Sequence, residues 1–282
     1  MVDTEQGSML FDGPTVVRIS STQGEPLVKQ VGDYAVATVS GAGAHGVGSH
    51  AQLTWFVPGN GIIGQPKDWE RDESPQPVAV QGGLGSATAD VVFSVADGKE
   101  VKPQVPQGIR LGRAYVYPGG FGYEFSATDD PFSDRVAFFD DSGALLASPD
   151  FTANLLTGSR DLPMVRTPSS DVVLNLHGRE VLVLPRSTGM PYTRLIGEKL
   201  FISTDADQRI WQQYDLRSGQ SGKTCDIESL GYSYIASDGE VAVLTGDDTP
   251  ARAYDLATCD QAWSLRGPSR ASSKMCGRSA PC

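Results

Sequence analysis

One pattern constrains this chain more than any other: a short β-branched or aromatic run, two to four turn formers ending in Gly, then a second short run, repeated along the sequence. It reads VVRISSTQGEPL, TWFVPGNGII, VVFSVADGKEV, VAFFDDSGALLA, VLVLPRSTGMPY, WQQYDLRSGQSG and ARAYDLATCDQAW. The turn positions are Gly24, Gly61, Gly98, Gly143, Gly189, Gly219 and, in place of glycine, Cys259, at intervals of 37, 37, 45, 46, 30 and 40 residues. Their mean of about 39 lies near the ~40–45 residues of one four-stranded propeller blade. Further runs such as DYAVATVS, DVVLNL, KLFIS and EVAVLTG precede the hairpins and alternate with the period of a strand. A blade cannot bury both of its faces alone, so such units must pack around an axis and close into a ring.

The expectation is therefore all-β: a single closed β-propeller over residues 1–282, with seven blades, or six because the interval leading to Gly219 is only 30 residues, and with ring closure near the termini. The unit around Gly24 has only MLFD before it, so the first blade should lack an inner strand that the C-terminal segment supplies. Composition agrees, since 32 Gly and 18 Pro with only 39% hydrophobic residues exclude a helical bundle. No stretch approaches the ~18 uninterrupted apolar residues of a membrane-spanning helix. Asp and Glu (34) outnumber Lys and Arg (23), and the net charge of −11 repels a phosphate backbone, so nucleic acid is not an expected partner.

All four cysteines, Cys225, Cys259, Cys276 and Cys282, lie in the last 58 residues, with no CxxC pair and no neighbouring His to complete a zinc site. An even set at one end reads as two disulfides fastening the C-terminal tail, residues 268–282, and securing the ring in an oxidising, extracytoplasmic space. Spacing does not choose among the three pairings. A chain that begins MVDTEQ without a basic and then apolar leader, yet carries such cysteines, is expected to have lost a signal or membrane anchor.

The units YDLRSG and YDLATC, the latter followed by Trp263, resemble the quinoprotein-like (PQQ-type) propeller repeat over residues 199–265. The chain is also similar to extracytoplasmic propeller domains of actinobacterial cell-envelope proteins. The first resemblance implies fold rather than redox activity, because quinone-dependent dehydrogenases of this kind need an adjacent Cys-Cys pair that this sequence lacks.

Other motifs weigh against catalysis. SGQSGKT (218–224) has Arg217 where a phosphate-binding loop needs Gly. His45 and His50 in GAGAHGVGSH have no local carboxylate or Cys and read as a flexible inter-strand loop, and His177 in NLHGRE reads as a turn residue. No GxSxG or triad pattern supports a hydrolase. The acidic loops carry more information: Asp130 lies 13 residues before Gly143, Asp207 12 before Gly219, and Asp248 11 before Cys259. Equivalent loops of a propeller emerge on one face, so Asp129, Asp130, Asp205, Asp207, Asp247 and Asp248 are expected to share a rim for a partner, with Asp130, Asp207 and Asp248 as the ligands if Ca²⁺ binds. The competing reading is that Asp is simply favoured in turns. Trp69, in the long polar insertion 64–77, and Phe121, in PGGFGYEF, complete the candidate binding residues.

The function expected from these residues is a non-catalytic, extracytoplasmic platform for an envelope protein or a lipid or glycolipid ligand, without a cofactor except Ca²⁺ at the acidic rim. The envelope resemblance implies a part in mycolate-precursor transport or polar growth. The alternatives are a small calcium-dependent propeller hydrolase or lactonase, and an assembly factor that presents sheet edges to its clients.

Overall fold

The computed structural model describes residues 2–4, 7–12, 15–19, 26–31, 34–50, 52–64, 78–83, 89–105, 107–150, 153–156, 161–228, 230, 234–246 and 249–265. Among them there is no helix, and the strands form seven sheets whose order follows the chain. The first sheet is β1 (Val2–Thr4), β2 (Gly7–Asp12) and β3 (Thr15–Ile19). The second is β4 (Pro26–Val31), β5 (Tyr34–Val39), β6 (Gly43–Val47) and β7 (Leu53–Pro58). The third is β8 (Ile63–Gly64), β9 (Val78–Gln81) and β10 (Val91–Ser94), with a Phe93–Glu100 bridge standing where a fourth strand would run.

Four complete four-stranded meanders follow. They are β11 (Ile109–Tyr117), β12 (Gly120–Ala127), β13 (Asp130–Phe139) and β14 (Leu145–Ala147), then β15 (Asn154–Leu155), β16 (Met164–Arg166), β17 (Ser170–Leu174) and β18 (Glu180–Pro185). The sixth sheet is β19 (Tyr192–Ile196), β20 (Lys199–Ser203), β21 (Ile210–Asp215) and β22 (Ser221–Asp226). The seventh is β23 (Tyr234–Ser237), β24 (Val241–Gly246), β25 (Thr249–Asp255) and β26 (Gln261–Ser264). The chain divides into two compact units, residues 1–193 and 194–282, with the division inside β19.

Within the first unit the core lies between successive sheets. Val36, Ala44 and Val57 of the second sheet pack with Ala79 and Phe93 of the third. Val80 and Val92 pack in turn with Val116, Phe121, Tyr123 and Phe139 of the fourth. The alternate residues Val136 and Phe138 of β13 face the other way, onto Leu155, Val165, Val172 and Leu174 of the fifth. A period of two with both faces buried is what sheets stacked face to face require, and each fully buried Phe contributes about 2–3 kcal/mol. In the second unit Leu200, Phe201, Trp211, Ile227, Ala242, Ala253 and Leu256 are all fully buried.

Polar side chains tie neighbouring sheets. Gln81 Nε2 donates to Val57 O (3.0 Å) and Pro58 O (3.1 Å), Asp90 Oδ2 accepts from Ala114 N (2.9 Å), and Glu124 Oε1 accepts from Leu155 N (2.9 Å). In the second unit Gln213 Nε2 donates to Leu256 O at 2.8 Å. Each bond satisfies a backbone group that burial between sheets would otherwise leave unpaired.

The turn between the third and fourth strands has one recurrent design. Asp140, Asn175, Asp215 and Asp255 end or follow the third strand, and their side-chain oxygens accept backbone N–H bonds from the turn. A left-handed residue follows: Gly143 (φ +86), Gly178 (φ +70), Gly219 (φ +69) and Cys259 (φ +65). Gly98 (φ +70) takes the same place in the third sheet. This is Asx-turn chemistry.

The repeat read from sequence is partly relocated by this geometry. Gly98, Gly143, Gly219 and Cys259 are hairpin positions, as expected. Gly189 is not, because it lies in the connection from β18 to β19; the turn of the fifth sheet is Gly178. With Gly178 in place the intervals become 45, 35, 41 and 40 residues, and the short spacing behind the six-blade alternative disappears. Gly61 joins β7 to β8 and so connects two sheets. Gly24 lies outside the described residues, and the strands flanking it, β3 and β4, belong to different sheets.

Candidate functional site

The three acidic loops are topologically equivalent, each joining the second to the third strand of its sheet. Asp129 and Asp130 form the exposed β12–β13 turn, where Ala127 pairs with Asp130. Asp205 and Asp207 lie between β20 and β21, with Asp207 exposed. Asp247 and Asp248 lie outside the described residues. The Asp205 carboxylate accepts from Arg209 N (3.1 Å) and Ile210 N (2.6 Å), and these backbone donors hold its pKa below the usual carboxylate range. Turn chemistry thus occupies this carboxylate. Among the described residues no group of three or more His, Cys, Asp or Glu is placed to hold a metal ion.

The corresponding loop of the fifth sheet carries a buried ion pair that the sequence did not reveal. Asp171, 1% exposed, accepts Arg166 Nε at 2.8 Å and Nη2 at 3.0 Å, while Ser187 donates through N (3.0 Å) and Oγ (2.6 Å). Arg166 Nη2 also donates to Gly189 O (2.9 Å), pinning the connection between β18 and β19. Burial opposes ionisation of Asp171, but the Arg166 and Ser187 donors together hold its pKa low.

Two other candidates change character. Phe121 is fully buried and packs on Phe139 (5.3 Å between centroids) and Tyr123 (5.9 Å), so it is core rather than a binding surface. His45 belongs to β6 and stacks on Phe56 at 4.5 Å, so it does not sit in a flexible loop with His50; burial lowers its pKa. Trp69 lies outside the described residues.

Cys225 and Cys259 form a disulfide. Cys225 is buried on β22, and Cys259 occupies the turn between β25 and β26, so the bond ties the sixth sheet to the seventh instead of fastening the tail at 268–282. Cys276 and Cys282 lie outside the described residues.

A groove of about 610 Å³ opens in the first unit, where Tyr34 of the second sheet, Asp97, Lys99, Glu100 and Lys102 of the third, and Asp141 of the fourth converge. Lys99 Nζ lies 2.6 Å from Asp97 and Lys102 Nζ 4.0 Å from Glu100. Burial, together with the neighbouring Asp140 charge, pushes the pKa of Asp141 up to about 6. The alternating charges of DGKEVK and the pair at Asp140–Asp141 were the only sequence signals for it, and they lie some 40 residues apart.

The chain is 33% identical over 277 residues to an uncharacterised protein of Mycolicibacterium smegmatis (strain MKD8), and the match covers 94% of this chain. The chain spans about half the length of that relative, 56%. Among solved structures it resembles the computationally designed Ika8 protein (TM-score 0.55, 10% identity, 93% of this chain and 82% of that one), a likeness of fold alone. It is also similar to BamB from Moraxella catarrhalis (TM-score 0.48, 11% identity, 85% and 75%). The model of a conjugation-associated 9-bladed β-propeller domain matches residues 1–277; that family is described as nine-bladed while the described residues form seven sheets, so the closed ring of seven, or six, blades expected from turn spacing is not supported. With that match running through all seven of its sheets, the chain belongs to the conjugation-associated nine-bladed β-propeller family.

Proposed function

We propose that this chain is a non-catalytic propeller that binds a protein partner within a conjugation-associated assembly, outside the cytoplasm and without a cofactor. The observation that carries the reading is the family match over residues 1–277. The Cys225–Cys259 bond supports the compartment, because structural disulfides persist in oxidising spaces. Meandering sheets packed face to face form a rigid frame, and connections on such a frame are where recognition residues collect.

Transfer frequency tests the reading. Donor cells deleted for the gene should lose DNA transfer by about tenfold or more and recover it when the chain is supplied with an export signal. Unchanged transfer after deletion, or full recovery from a chain confined to the cytoplasm, would remove the proposal.

A further inference from the structure

The two halves of the Cys225–Cys259 bond differ in their access to solvent. Cys225 is fully buried on β22, where it pairs with the fully buried Trp211 of β21. Cys259 is partly exposed in the β25–β26 turn, and its neighbours Ala257, Thr258 and Asp260 are all exposed. A thiolate displaces a disulfide sulfur only where it can reach it, so the sulfur of Cys259 is open to attack and that of Cys225 is shielded.

The structure around the bond has its own supports. The Asp255 carboxylate accepts from Ala257 N (2.8 Å) and Thr258 N (2.8 Å), and Cys259 N donates to Asp255 O at 2.8 Å. Gly143, Gly178 and Gly219 take the same left-handed position in turns that contain no sulfur. The sixth and seventh sheets are joined as well by Gln213 Nε2 and Lys199 Nζ, which donate to Leu256 O at 2.8 Å and 3.4 Å. Opening the bond therefore removes one tie among several and leaves the turn and the packing of Leu200, Phe201, Trp211 and Leu256 in place.

We infer that Cys259 is a thiol-exchange site, at which an external thiol enters the folded chain. The incoming thiolate attacks Sγ of Cys259, the bond to Cys225 breaks, and the Cys225 sulfur leaves as a thiolate that takes a proton from water. The product carries a mixed disulfide on Cys259 and a buried thiol on Cys225, with no net gain or loss of electrons. Attack of Cys225 on Cys259 Sγ expels the external thiol and restores the original bond, whereas a second external thiolate, attacking the sulfur that the first one brought, completes the reduction. The tie between the sixth and seventh sheets is thus reversible from one side, a property independent of the protein-binding reading above.

Incubation of the full chain with 2-mercaptoethanol in native buffer at about pH 8, where a free thiol is partly ionised, tests this. Samples are quenched in acid, unfolded, alkylated with N-ethylmaleimide and mapped by peptide mass spectrometry, which separates Cys225 and Cys259 from Cys276 and Cys282. In the first product the mercaptoethanol adduct should sit on Cys259 and the maleimide on Cys225, about tenfold or more over the reverse arrangement. Near-ultraviolet circular dichroism of that product should keep its folded form. In Cys259→Ser, Cys225 should resist iodoacetamide until urea unfolds the chain. Adducts spread equally over Cys225 and Cys259, no adduct until the chain unfolds, or ready labelling of Cys225 in folded Cys259→Ser would overturn the inference. The wild-type mapping needs no variant, so it stands even if a substitution disturbs folding.

Discussion

Cys259, at φ +65, occupies the turn position that glycine fills in the third to sixth sheets, and it is bonded to Cys225 on the last strand of the preceding sheet. The bond closes a separation of 34 residues, for which loop-closure entropy gives about 3–4 kcal/mol of stabilisation. Replacing both cysteines with Ala should lower stability by up to that amount in denaturant titrations under non-reducing conditions. Cys225→Ala with Cys259→Gly should recover about 1 kcal/mol of the loss, because glycine accepts a left-handed backbone without a Cβ clash. Equal stability of the two double variants would show that the backbone at position 259 relaxes.

The same relation between neighbouring sheets recurs without sulfur. A Cβ added at Gly98, itself at φ +70, would lie 2.8 Å from the Trp55 ring on β7, and one at Gly178 would lie 3.0 Å from Ala147 Cβ on β14. Gly98→Ala should therefore combine a left-handed backbone penalty with overpacking and cost about 2–4 kcal/mol by chemical denaturation. Gly108→Ala, also at positive φ but with nothing within 4 Å, should cost only about 1 kcal/mol.

Asp171 is buried against Arg166, and its pKa is depressed in the folded chain. A depressed carboxylate contributes stability that is present above the unfolded value near 4 and is lost as pH falls through the folded value. Asp171→Asn should cost about 3 kcal/mol at neutral pH, since Arg166 then keeps its charge without its partner. The variant should also lose less stability than wild type as pH falls below about 4 in pH-dependent urea titrations.

Asp141 runs the other way. Its folded pKa of about 6 lies above the unfolded value near 4, so its ionisation weakens the fold as pH rises between those values. Asp141→Asn should be more stable than wild type at pH 7.5 by about 1 kcal/mol after allowance for solvent screening, and equal to it near pH 4. Melting temperatures across pH 4–8 check both the sign and the window.

Much of the repeat was legible because a left-handed turn residue is a local demand. Cys259 could be placed in a glycine position from spacing alone, and His177 could be assigned to a turn, because a side chain-to-backbone bond within four residues decides both. Gly178 was missed although NLHG carries the same Asn-to-Gly arrangement, since the VLVLP run after it looks equally like the start of a hairpin. Phe121 shares its strand face with Tyr123, so the alternation that turned Tyr123 inward also buried Phe121. The groove and the Arg166–Asp171–Ser187 network depend on how separate segments come together, and no periodicity records that.

A photoreactive residue in place of Tyr34, activated in intact donor cells, tests the central claim most directly. A discrete protein adduct with a component of the conjugation apparatus is expected. Adducts consisting only of lipid, or only of cytoplasmic proteins, would contradict it.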